Sequence, residues 1–187
     1  MRETMATTIA SSIEHRRVHA AAAPSILDPK SSILIFALTL LVFATTARAV
    51  NLPTRFDPSR DAAADVAHAV SIAKAQGKRV IVDVGGEWCS WCHILDRFIA
   101  NNADVRTLID AKYVWVKVNF SKENRNQALL ARWPKIEGYP HLFMLDADGK
   151  LLHSQDTSVL ESGQGYDRDK FVDMLKRWAP PASGVRI

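Results

Sequence analysis

Across 187 residues, 24 Lys/Arg stand against 20 Asp/Glu, a net charge of +4 that gives no argument for nucleic acid or acidic lipid as a partner. The chain holds two cysteines, three positions apart. A structural disulfide usually ties distant segments, and closing so short a loop constrains the unfolded chain little, so a redox or ligand role is the better reading.

In chain order, residues 33–44 form a twelve-residue uncharged run, ILIFALTLLVFA, short of the roughly 20 apolar residues that span a bilayer. Arg16, Arg17 and Lys30 precede it and Ala47-Arg48-Ala49 follows, so residues 1–49 read as a secretory signal peptide, with an uncleaved membrane anchor as the alternative. Removing them takes away five basic and three acidic residues and leaves 138 residues at +2, enough for one compact domain. Residues 50–60, with two prolines and no periodicity, read as a surface lead-in. A helix follows from Asp61 as cap to Gly77 as stop, with Val66, Ala69, Val70 and Ala73 on one face. RVIVDV, residues 79–84, is a β-branched run of the kind buried in a parallel sheet, ended by Gly85-Gly86.

A second helix is expected to begin near Cys89 with Ile94, Leu95, Phe98 and Ile99 inward, and to break near Asn101-Asn102 before a further helical stretch to Ala111. YVWVKVNF, 113–120, reads as a strand; 124–132 as a helix; and Pro134, Gly138 and Pro140 force a loop. Residues 141–145 and 150–153 flank the hairpin turn Asp146-Ala147-Asp148-Gly149. The last helix spans about Arg168 to Trp178, capped by Asp167, with Phe171, Met174, Leu175 and Trp178 inward, before Pro180-Pro181 and a tail over 180–187. Helices between strands imply parallel crossovers and the hairpin adds antiparallel strands. An α/β fold with a mixed sheet covered on both faces follows.

The segment VIVDVGGEWCSWCHIL sets Cys89 at the first turn of a helix, where free N–H groups and the helix dipole stabilise a thiolate, so Cys89 is the expected nucleophile. Cys92, one turn deeper, is the expected resolving thiol. At this point the chain resembles the thioredoxin superfamily, over about residues 61–178, and the domain is expected over 61–179 as a three-layer sandwich. WCSWC resembles the family's W-C-x-x-C site, and Asp83 holds the place of its buried strand Asp. Lys117 matches the strand lysine near that Asp, and IEGYPHLFML resembles the segment carrying the family's cis-proline, here Pro140.

The resemblance implies a thiol–disulfide oxidoreductase in which Cys89 and Cys92 cycle between dithiol and disulfide, without cofactor or metal. Asp83, among Val80, Ile81, Val82 and Val84, is then the proton acceptor for Cys92, its pKa raised by burial, with Lys117 as its partner. The plainer reading is an Asp at a strand end bonding loop N–H groups, and a lysine that reaches solvent. Trp88 and Trp91 are expected around the sulfurs as a substrate platform, Trp91 exposed, and a cis Pro140 would leave the Tyr139 backbone open to an extended substrate. His93, four residues after Cys89, would add charge to the helix terminus and tune redox poise, against a plainly solvated histidine. The Ser-Trp between the cysteines departs from the Gly-Pro of ordinary thioredoxins, so a strong reductant is not implied.

Expected partners are protein thiols and disulfides, with a redox partner that resets the pair. The domain is expected as a periplasmic monomer that meets a membrane only through an uncleaved signal segment. Three other readings stand beside this one. Cys89 to His93 also satisfies C-x-x-C-H, the c-type haem attachment pattern of an electron carrier, although such a protein needs neither Asp83 nor the Gly-Tyr-Pro-His segment. Cys89, Cys92, His93 and His141 offer a Zn²⁺ or Cu(I) ligand set. A thioredoxin-fold chaperone would need neither thiol.

Overall fold

The computed structural model describes residues 51–181. The signal segment and the end of the expected tail lie outside them, and no helix among the described residues is long and apolar enough to cross a membrane. Helix α1 (Ala62–Gln76) opens on Asp61, whose carboxylate accepts from the N–H groups of Ala63 and Ala64. It closes on Gly77 at φ 64°, a left-handed conformation that glycine adopts without a Cβ clash. Strand β1 (Arg79–Gly85) is buried at every residue after Arg79.

Helices α2 (Ser90–Asn101) and α3 (Ala103–Lys112) part at Asn102, whose extended backbone breaks the ladder as the Asn pair predicts. They lead to β2 (Tyr113–Asn119), the single turn α4 (Gln127–Leu130), and the hairpin β3 (His141–Leu145) and β4 (Leu151–Asp156). A 3₁₀ turn (Thr157–Leu160) and the short ribbon β5 (Glu161–Ser162) with β6 (Gly165–Tyr166) precede α5 (Arg168–Arg177), which Asp167 caps.

The sheet order is β2-β1-β3-β4, with β1 parallel to β2 and antiparallel to β3, and β3 antiparallel to β4. Strands β1 and β3 are therefore central, which is why their sequences are nearly continuous apolar runs. The edge strand β4 is mostly half-exposed. On one face Val80, Val82, Val84, Val114, Val116, Val118, Phe143 and Leu145 pack against Val66, Ala69 and Ala73 of α1. On the other, Ile81, Leu142 and Met144 meet Leu95 of α2, Val105 and Ile109 of α3, and Phe171 and Leu175 of α5.

Three expectations change. The helix over 124–132 shrinks to one turn because Asn126 takes φ 47° and the local asparagines bond the backbone instead. Asn126 Nδ2 donates to the Asn119 carbonyl at 2.7 Å and Asn119 Nδ2 to the Asn124 carbonyl at 2.9 Å. The strand over 150–153 runs on to Asp156, paired with β3, and the two-residue strands after it lack any period to read. The third concerns the lead-in: it is not all surface, since Phe56 is 2% exposed and Leu52 packs on the core. An isolated aromatic among prolines and charges carries no periodic signal, yet its area drives burial.

Candidate active site

Cys89 is the N-cap of α2, and its Sγ accepts the Cys92 N–H at 3.1 Å. The two cysteines are joined as a disulfide with a Cα–Cα distance of 5.3 Å. Both are buried, Cys92 slightly the deeper, against Phe56. Gly85 makes this packing feasible. A Cβ there would lie 2.4 Å from Cys92 Sγ and 2.9 Å from Phe56 Cζ, so any side chain would displace the sulfur or the ring.

Strand alternation puts Asp83 on the same sheet face as Ile81, toward α2. Parallel pairing sets Lys117 in register with it. Lys117 Nζ donates to Asp83 Oδ2 at 2.9 Å and to Asp96 Oδ1 at 2.7 Å, and lies 4.1 Å from the centre of the Phe56 ring. Trp115 Nε1 reaches the same Asp83 oxygen at 3.3 Å. Asp83 is 1% exposed, and its Oδ1 has no hydrogen-bond partner. Burial pushes the Asp83 carboxyl above its ordinary range, with Lys117 opposing. Burial pulls the Lys117 ammonium down, but the charges and hydrogen bonds of the two carboxylates hold it above its usual value. The lysine that would have reached solvent is thus 7% exposed and shared between two acids. Asp83 bonds no loop N–H, so the strand-end cap reading does not describe it.

Around the sulfurs, Trp88 is 58% exposed, with Nε1 donating to the Phe120 carbonyl at 2.7 Å. Its ring meets Tyr139 edge-on at 5.6 Å, and Tyr139 stacks on Phe120 at 4.9 Å. Gly86 admits the indole, since a Cβ there would lie 2.2 Å from Nε1. A groove of about 460 Å³ runs beside Trp88, between Phe120, Lys122 and Arg125. Trp91 departs from its expected exposure. It is half-buried, edge-on to Tyr166 at 5.7 Å, because the first turn of α2 aims it at the β5–β6 ribbon. The Tyr139–Pro140 bond is cis, as the resemblance implies.

His93 engages the loop ahead of Cys89. Its Nε2 lies 2.9 Å from the Glu87 carbonyl and 3.8 Å from the Glu87 carboxylate. His141 is buried on β3 with Nε2 2.8 Å from Ser154 Oγ. The four candidate ligands therefore do not converge, and among the described residues no three His, Cys, Asp or Glu side chains form a metal-binding group. A haem fits no better: both sulfurs are packed against Phe56 rather than open to a porphyrin edge, and the Glu87 carbonyl engages the histidine.

Compared with known proteins, the domain superposes on a disulphide isomerase from Xylella fastidiosa Temecula1 with a TM-score of 0.57 at 25% identity, covering 69% of this chain and 98% of that one. Residues 61–147 match the family model described as thioredoxin-like. Over those residues the chain is a thioredoxin-like domain. Over 90 residues it is 29% identical to the thiol:disulfide interchange protein DsbD of Colwellia psychrerythraea, covering 48% of this chain and 15% of that protein. Over 76 residues it is 30% identical to the disulfide bond reductase DsbH of Chlamydia pneumoniae, covering 36% of this chain and 45% of the relative. The chain thus spans less than half the length of either relative.

Sequence reasoning missed Asp96 and Phe56 in this thioredoxin-like site. Asp96 had a signal: it lies four residues after Cys92, hence on the same helix face. Removing the cation tests the cluster. Lys117→Met should destabilise the domain by about 3–5 kcal/mol at neutral pH, because Asp83 becomes an uncompensated buried charge. The folded pKa of Asp83 lies above its unfolded value of about 3.9, so the loss should be smallest below about pH 4 and grow as pH rises through the folded value. Urea unfolding at several pH values measures it; a deficit independent of pH would place the cost elsewhere.

Proposed function

We propose that the domain is a thiol–disulfide oxidoreductase that exchanges the Cys89–Cys92 disulfide with protein thiols. The observation that carries this reading is the cysteine pair at the α2 N-terminus, Cys89 Sγ accepting the Cys92 N–H, with a buried carboxylate and ammonium on the strands beneath. In the reducing direction the Cys89 thiolate attacks one sulfur of a substrate disulfide. A mixed disulfide forms and one substrate thiolate leaves. Cys92 then gives its proton to Asp83, and its thiolate attacks Cys89 Sγ, releasing the second substrate thiolate. The substrate gains two electrons, the domain becomes the disulfide, and a dithiol partner must reset it. Run backward, the same steps oxidise a substrate.

Burial supports Asp83 as acceptor, since a carboxyl raised toward the thiol range takes a proton more readily. Lys117 holds that carboxyl in place. Trp88, Trp91, Tyr139 and Pro140 form the substrate side, where an extended peptide would pair with the Tyr139 backbone beside Cys89. Export is supported by the charge, apolar run and Ala-Arg-Ala order of residues 1–49, which favour a periplasmic site of action.

Cys92→Ser should trap substrates as mixed disulfides resolvable by reductant, whereas Cys89→Ser should trap none. Equal trapping on non-reducing gels would reverse the roles. Asp83→Asn should leave the first attack near its normal rate and slow resolution at neutral pH by roughly 10²-fold or more, the usual worth of a general base. Stopped-flow fluorescence of the two phases separates them; an unchanged second phase would leave Asp83 structural.

His93 is proposed to tune the poise, with Glu87 sharing its charge. His93→Gln should raise the Cys89 pKa and lower the reduction potential. Thiolate absorbance against pH, paired with a glutathione titration, reads both, and superimposable curves would make His93 a surface residue only.

A further inference from the structure

Phe56 comes from the segment ahead of α1, outside every element that builds the sheet, yet it is among the most buried side chains of the domain. Three contacts fix it at the site. Its ring packs on both cysteines, and its tip shares with Cys92 Sγ the space that a Gly85 side chain would fill. The ring face carries the Lys117 ammonium, the same ammonium that holds Asp83 and Asp96. Its backbone N–H donates to Glu87 Oε1 at 3.0 Å, which ties the segment to the loop just before Trp88 and Cys89. Further bonds anchor its flanks: Asn124 Nδ2 donates to the Pro58 carbonyl at 2.9 Å, and Arg60 donates to the Asn51 carbonyl at 3.0 Å while pairing with the buried Asp65.

We infer that Phe56 is a positioning residue for the resolving step: its ring seals the cysteine pair and the Lys117 ammonium from water, so that Asp83 faces Cys92 in a dry pocket. This rests on the reading of Asp83 as the acceptor, and it assigns to the lead-in segment a part in the chemistry. The physical ground is desolvation. A carboxylate is solvated by any water that enters, and a solvated carboxylate holds a proton less well. The charged or titratable groups facing Asp83 are Lys117 from β2, Asp96 from α2 and the Tyr166 phenol from β6. None of these is altered when the ring alone is removed. An effect on Asp83 from Phe56→Ala is thus an effect of solvent access and of the lost ring face under Lys117.

The test is a side-chain carboxyl titration of Asp83 by carbon NMR in the oxidised protein, together with the pH profile of mixed-disulfide resolution. Phe56→Ala should lower the Asp83 midpoint by about one unit or more, and move the resolution profile in the same direction. Phe56→Leu, which refills most of the space with apolar atoms, should keep the wild-type midpoint. Phe56→Val stands in if the alanine variant does not fold, and should shift the midpoint the same way by less. An unmoved midpoint in the alanine and valine variants overturns the inference, as does a leucine variant shifted as far as alanine. Failure of the underlying reading looks different: Asp83→Asn would then resolve mixed disulfides normally while the Phe56→Ala midpoint still moved.

Discussion

The Lys117 ammonium is the constraint around which the site is arranged. One cation is shared by Asp83, Asp96 and the face of Phe56, and so joins β2, β1, α2 and the segment ahead of α1 at a point with little access to water. Asp96 is the exit from this cluster, with 42% of its side chain exposed, whereas Asp83 has none to speak of. Coulomb attraction in such a place is strong, but so is the cost of desolvation, and a pair of this kind is often no more stabilising than apolar residues of the same volume. Its presence is therefore weak evidence for fold stability.

Register carries this arrangement. Asp83 faces Lys117 only because β1 and β2 pair in parallel with Val82 opposite Val116 and Val84 opposite Val118. A slip of β2 by one residue would turn Lys117 into the valine layer under α1 and leave Asp83 without its cation. The apolar layer thus sets the geometry of the polar one. In sequence this was legible, because RVIVDV and YVWVKVNF each interrupt an apolar run with one ionisable residue, and the Cys-x-x-Cys position fixes where the following helix starts.

What was not legible has physical causes. Phe56 lies in a stretch without periodicity, and its burial comes from a long-range contact that no local pattern encodes. Asp96 stands outside the apolar stripe of α2, Ile94, Leu95, Phe98 and Ile99, and a polar residue off that stripe carries no sign of the buried cation it meets. The place of Trp91 between the cysteines points to the surface, whereas the β5–β6 ribbon that receives it consists of two-residue strands with no sequence signature. Residues 124–132 read as helical because side-chain competition for backbone groups by the asparagines is invisible to apolar spacing.

Alternation in β1 divides labour between the faces of one strand. Val80, Val82 and Val84 point into the layer under α1, while Ile81, Asp83 and Gly85 point toward α2. Substitutions at the even positions act on the apolar core and hence on stability, by cavity or overpacking. Substitutions at 83 and 85 act on the charge beneath the cysteines and on the room for their sulfurs. The separation permits large changes of poise without loss of the fold, since about 30 mV corresponds to only 1.4 kcal/mol and a charged hydrogen bond is worth about 1.5–3 kcal/mol. A few contacts at the α2 terminus are therefore worth as much as the difference between a reducing and an oxidising cysteine pair.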